Sequence, residues 1–92
     1  MNEIDVNYML RTIHDVYISA KKWYRKILAT EEGYDEFIKF LANQLSNSLS
    51  GFGLKVIRTI YGDHHDLILY AEGPMHEYKI KIDTENDLIK VQ

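Results

Sequence analysis

The sequence predicts an α+β domain: an N-terminal antiparallel helix hairpin packed on a C-terminal four-stranded antiparallel β-meander, in the order ααββββ. Three observations predict it. Apolar residues recur every three to four positions up to Ser50 and every two after Gly53, so helical spacing becomes strand spacing across the joint Ser50-Gly51-Phe52-Gly53. The segments beyond that joint are separated only by short clusters of turn-forming residues, and connections so short suit antiparallel neighbours. Ninety-two residues, 46% of them apolar, suit one packed domain and lie well above the disordered class. One domain is therefore expected over 1–92, with the hairpin in 1–50 and the meander in 54–92.

The first helix is expected over 5–28, because Met9, Ile13, Val16, Tyr17, Ala20, Tyr24, Ile27 and Leu28 share one face at helical spacing. Asn2 and Asp5 are both suited to cap its start, and Arg25 and Lys26 suit the dipole at its end. Ala29-Thr30 then leaves almost no loop. Thr30 reads as the N-cap of a second helix, with Glu31 and Glu32 in the first turn where acids are favoured. That helix carries Tyr34, Phe37, Ile38, Leu41, Leu45 and Leu49 on one stripe and stops at Gly51. Gly33 in its first turn costs up to about 1 kcal/mol relative to Ala on propensity alone.

Four strands follow, over 54–61, 66–71, 77–83 and 87–91. The breaks are Gly62-Asp63, Glu72-Gly73-Pro74-Met75 and Thr84-Glu85-Asn86, all rich in turn residues. Leu67-Ile68-Leu69-Tyr70-Ala71 is apolar on both faces, which predicts a central strand. In the next strand Tyr78, Ile80 and Ile82 face one way, and Glu77, Lys79 and Lys81 the other.

Composition removes several functions. With no cysteine, disulfide scaffolds, thiolate zinc sites and cysteine nucleophiles are excluded. No apolar run approaches the roughly 18 to 20 residues that span a bilayer, and no signal-peptide pattern opens the chain, so a cytoplasmic protein without membrane contact is expected. Net charge is −3 and neither half is basic, which counts against a freestanding nucleic-acid binder while leaving room for a local basic stripe. Neither a cofactor nor a resident metal is expected. Nucleophilic catalysis finds no support, since Ser46, Ser48 and Ser50 end a helix without a Gly-x-Ser-x-Gly elbow.

Two constellations remain. Asp66 opening one strand and Glu77-Tyr78-Lys79 on the next, with Glu36 on the preceding helix, resemble the PD-(D/E)xK nuclease pattern. The resemblance implies a metal-dependent nuclease whose carboxylates hold a divalent ion while the lysine positions a water. Register opposes it: a hairpin turning at Gly73-Pro74 sets Asp66 opposite Lys81 and Glu77 opposite Tyr70. That offset of four residues is about 13 Å. A solvent face of alternating Glu and Lys is the simpler reading. The order of helix pair and sheet, with Leu49-Ser50-Gly51-Phe52 between them, also resembles the RelE-like ribosome-dependent RNases. That family begins with a strand and carries a basic sheet, whereas this chain begins with a helix and is acidic. His64-His65-Asp66 offers imidazole and carboxylate, but neighbouring strand residues point to opposite sides, so a turn is the expected role.

The second constellation is Lys21-Lys22-Trp23-Tyr24-Arg25-Lys26. At 100° per residue, Arg11, His14, Ile18, Lys21, Lys22 and Arg25 form a basic stripe away from the core, with Ile18 an apolar residue inside it and Trp23 at its edge. Arginine and aromatic residues are enriched at binding surfaces. The expected function is a small intracellular protein-binding module, a regulator or inhibitor of a nucleic-acid-handling enzyme of the kind phages and mobile elements carry. A homodimer through the exposed sheet is compatible with so short a chain. The alternatives are the metal-dependent nuclease and direct nucleic-acid binding through the first helix.

Overall fold

A computed structural model describes residues 4–92. Helices α1 (Val6–Trp23) and α2 (Glu31–Ser50) precede strands β1 (Lys55–Tyr61), β2 (Asp66–Glu72), β3 (Glu77–Asp83) and β4 (Leu88–Val91). The strands form one antiparallel sheet in the order β1-β2-β3-β4. The α+β class and the helix-helix-strands order are those expected from the periodicity.

Both helix starts follow the capping chemistry. Asp5 accepts the Tyr8 N–H at 3.2 Å, and Thr30 Oγ1 accepts the Gly33 N–H at 3.0 Å. Asn2, the other capping candidate for α1, lies outside the described residues. The apolar stripes meet over one sheet face: Met9, Ile13, Tyr17 and Ala20 from α1, and Phe37, Leu41, Leu45 and Leu49 from α2. They cover Leu67, Leu69, Ala71, Ile80 and Ile82. Phe37 is ringed by Tyr17, Tyr24 and Tyr34, with centroids 6.1 to 6.5 Å away, an arrangement that locks the hairpin at its closed end.

Three expectations are corrected. First, α1 stops at Trp23 and residues 24–29 form turns, so the hairpin connection is longer than the sequence suggests. The connection folds back on the start of α2. The Ile27 carbonyl turns onto the first turn of α2, accepting from Thr30 N and Oγ1 at 3.2 and 3.0 Å. It lies so close to Gly33 that a Cβ there would sit 1.8 Å from the oxygen. Gly33 is therefore a close-approach residue rather than a weak point.

Second, the β2–β3 register differs by two residues from the expected one. Glu72 pairs with Glu77 across a four-residue loop, which sets Asp66 opposite Asp83 and Tyr70 opposite Lys79. A two-residue turn at Gly73-Pro74 would put proline at its third position, where it is disfavoured; the longer loop moves it to the second position of Gly73–His76.

Third, Asp87 belongs to the β3–β4 turn and not to β4. It takes φ +56, a left-handed conformation that Asp tolerates, and this swings its carboxylate back towards α1. The helix-to-sheet joint holds a left-handed glycine, Gly53 at φ +77, while Gly51 stays right-handed at φ −65.

Candidate functional site

The exposed face of α1 is where the sequence-selected residues converge. His14, Ile18, Lys21, Lys22 and Arg25 line one groove of about 400 Å³ together with Tyr17, Leu28 and Asp87. Helical spacing aligns the first five. The turn after Trp23 brings Leu28 into the lining, and the β3–β4 turn supplies Asp87 beside Tyr17 and Lys21. Ile18, 52% exposed, is part of the lining. Arg11 is exposed one turn before His14 and lies outside the lining.

Trp23 is 80% exposed and faces a different depression of about 310 Å³ beside Val16 and Phe40. It also lines a third depression, of about 240 Å³, together with the stripe residues Lys22 and Arg25, so the tryptophan adjoins the stripe at its C-terminal end.

A polar network fixes the groove. Tyr17 is buried, yet its hydroxyl reaches the Asp87 carboxylate and the Thr84 carbonyl, the latter at 3.3 Å. Lys21 forms an ion pair with the same Asp87 oxygen. Thr84 donates its hydroxyl to the His65 carbonyl at 2.6 Å and shares a 2.9 Å hydrogen bond with Tyr34. Both helices are therefore tied to both loops at this end of the sheet.

The ionisations follow from these contacts. Lys21 and then Tyr17 hold the Asp87 carboxyl below its ordinary value. Burial, reinforced by the Asp87 hydrogen bond and charge, pushes the Tyr17 phenol up. Burial raises Tyr34 as well, with the hydrogen bond it shares with Thr84 acting in the opposite direction. Asp83, half-buried at the end of β3, is lowered by the Asn86 side chain and the Asn86 and Glu85 N–H groups from which it accepts in its turn. Lys21 is spent within this network, leaving Lys22, Arg25 and His14 as the groove's outward-facing polar groups. Asp87 and Tyr17 escaped sequence reasoning because one read as strand and the other as core. The only local signal was Asn86-Asp87, two residue types that tolerate left-handed backbone.

The nuclease-like residues are not brought together. Asp66 opposes Asp83 and Glu77 opposes Glu72, an offset of six residues or about 20 Å, larger than expected from sequence. Glu36 is exposed on α2, in the helical layer, whereas Asp66, Glu77 and Lys79 belong to the other face of the sheet. Asp66 Oδ1 is buried against Gly62 without a hydrogen bond. The histidines are dispersed as well: His14 lines the groove, His65 stacks on Tyr34 at 4.5 Å and His76 lies near Tyr78. Among the described residues no three His, Asp or Glu side chains are grouped to hold a metal. Nor is any described helix long and apolar enough to cross a membrane.

The chain matches no known family model, no curated protein and no solved structure.

Proposed function

We propose that the chain is a protein-binding module that seats an acidic, amphipathic segment of a partner in the α1 groove and acts as a regulator or inhibitor by occupying that partner. The observation that carries the reading is Ile18. It is half exposed in the lining of a groove that Lys22 and Arg25 also line. A lone exposed isoleucine means little. Set in a concave surface with Leu28 and beside these cations, it gives an apolar anchor and a charge to match, the usual make-up of an interface centre and rim. The Tyr17–Asp87–Lys21 network holds the groove in shape before a partner arrives, so little ordering cost falls on binding.

Capture from the native host with the full chain tests this. Wild type and Lys39→Glu, a substitution on α2 away from the groove, should retain the same partner, and Ile18→Glu and Arg25→Glu should lose it while keeping the wild-type circular dichroism. A partner set indifferent to Ile18→Glu refutes the reading.

A further inference from the structure

All five cations of residues 51–92 lie on the face of the sheet turned away from the helices. Directly opposed residues share a face, and the helix-facing set is identified by the buried Leu67, Leu69, Ala71, Ile80 and Ile82. On the other face Lys55 opposes Glu72, Arg58 and Lys79 flank Tyr70, and Lys81 and Lys90 oppose each other. The alternation is easy to read along one strand. That the lysines and arginine of different strands add up to one band depends on register.

The band runs across the strands in two rows. One is Arg58–Tyr70–Lys79, with the two cations 5.7 and 6.0 Å from the Tyr70 ring centre. The other is Ile60–Ile68–Lys81–Lys90. About 6.6 Å separates the rows, and four strands span about 14 Å. Acids flank the band on both sides, Glu72 and Glu77 at one end and Asp66 and Asp83 at the other. None is within ion-pair distance of a band cation, the one ion pair among the described residues being Lys21–Asp87, although Asp83 feels the charge of Lys81 and shares a depression with it and Lys90. Lys81 opposite Lys90 is a like-charge pair, which costs stability wherever no anion lies between. Asp83 compensates that pair from one end only, and Arg58 and Lys79 have no ion-pair partner among the described residues.

We propose that this open sheet face binds single-stranded nucleic acid, with phosphates over Arg58, Lys79, Lys81 and Lys90 and bases against Tyr70, Ile60 and Ile68. Charge complementarity commits the face to a polyanion and against a second copy of itself, which would set cation against cation. The half-buried isoleucines and the tyrosine between the cations favour a strand with exposed bases, since a duplex keeps its bases stacked inside. At a stacked rise of about 3.4 Å the band covers roughly four nucleotides. This surface is separate from the α1 groove.

The test is fluorescence anisotropy of labelled dT12 and U12 with the full chain across a salt series. Four phosphate contacts predict a slope of about −3 in log K against log salt. Lys81→Gln with Lys90→Gln should halve that slope and weaken binding about 25-fold in 0.1 M salt. Removing a like-charge pair leaves the fold intact, which circular dichroism checks. Arg58→Gln, on the exposed edge strand, gives an independent loss of about 0.7 in slope. Lys26→Gln with Lys39→Gln removes equal charge elsewhere and should stay within about threefold of wild type. No saturable binding, or equal loss in the two double variants, overturns the proposal. So does tighter binding of a polyglutamate of matched charge, which would make the face a docking site for an acidic protein.

Discussion

Replacing Gly33 with alanine separates a local argument from a tertiary one, because the two predict opposite signs. Helix propensity alone says that alanine in the first turn of α2 gains up to about 1 kcal/mol. The structure says otherwise. A Cβ at Gly33 would lie 1.8 Å from the Ile27 oxygen, 2.6 Å from its carbon and 2.8 Å from Thr30 Oγ1. The obstacle is backbone, so the connection itself must move by more than 1 Å. That movement pulls the Ile27 carbonyl off Thr30, and the Thr30 hydroxyl that caps α2 is displaced with it. Overpacking of this kind costs about 1–3 kcal/mol and a lost cap about 1 kcal/mol. Set against the propensity gain, a net destabilisation of about 1–3 kcal/mol remains. At about 4–8 °C per kcal/mol for a domain of this size, Tm should fall by roughly 5–20 °C. Thermal unfolding followed at 222 nm, with urea unfolding alongside, measures it. Gly51→Ala is the internal control: φ is −65 and the nearest atom is Ser48 O at 3.2 Å, so its effect should stay within about 0.5 kcal/mol. A Gly33→Ala chain as stable as wild type, or more so, would refute the close-approach argument.

Other expectations follow from the same contacts. Gly53→Ala meets no neighbouring atom but must adopt φ +77, so it should cost about 1–2 kcal/mol through backbone strain alone, read in the same unfolding assay. Leu45→Ala, fully buried between α2 and the sheet, should cost about 2–5 kcal/mol. Asp87→Asn should destabilise at neutral pH. Because the folded carboxyl titrates below its ordinary 3.8, the gap from wild type persists down to about that pH and closes only as the folded group protonates; a gap independent of acid would count against the Lys21 and Tyr17 contacts. Tyr17 runs the other way. Its folded value is raised above 10.0, so its contribution is complete below pH 10 and is lost as the pH climbs beyond it. Tyrosinate absorbance should show Tyr17→Phe removing a phenol that ionises late, and an unchanged late phase would contradict the assignment.

The two proposed surfaces draw on cations in different surroundings. Those of α1 line a groove together with Ile18 and Leu28, and those of the sheet form a flat band crossed by a tyrosine. A net charge of −3 conceals both, since the acids that outweigh them lie chiefly at loops, sheet ends and the start of α2. Exposed Trp23 adjoins the α1 surface through Lys22 and Arg25.

Local patterns in the chain determined the class of fold, the starts of both helices at Asp5 and Thr30, the buried stripes, the inward set Tyr78, Ile80 and Ile82, and the alignment of His14, Ile18, Lys22 and Arg25. Each depends on a periodicity or a cap that reaches only a few residues, and such signals survive in one dimension. Tertiary structure alone decided where α1 ends, which residues oppose one another between β2 and β3, and what Asp87 does. The first depends on an Ile27 carbonyl seated on Gly33, the second on a loop that places Pro74 where its ring is tolerated, and the third on a carboxylate meeting Tyr17 and Lys21 from 70 and 66 positions away. A shift of the turn centre by one residue moves every cross-strand partner by two. The separation of the nuclease-like residues and the gathering of the sheet's cations into one band were both settled by that register.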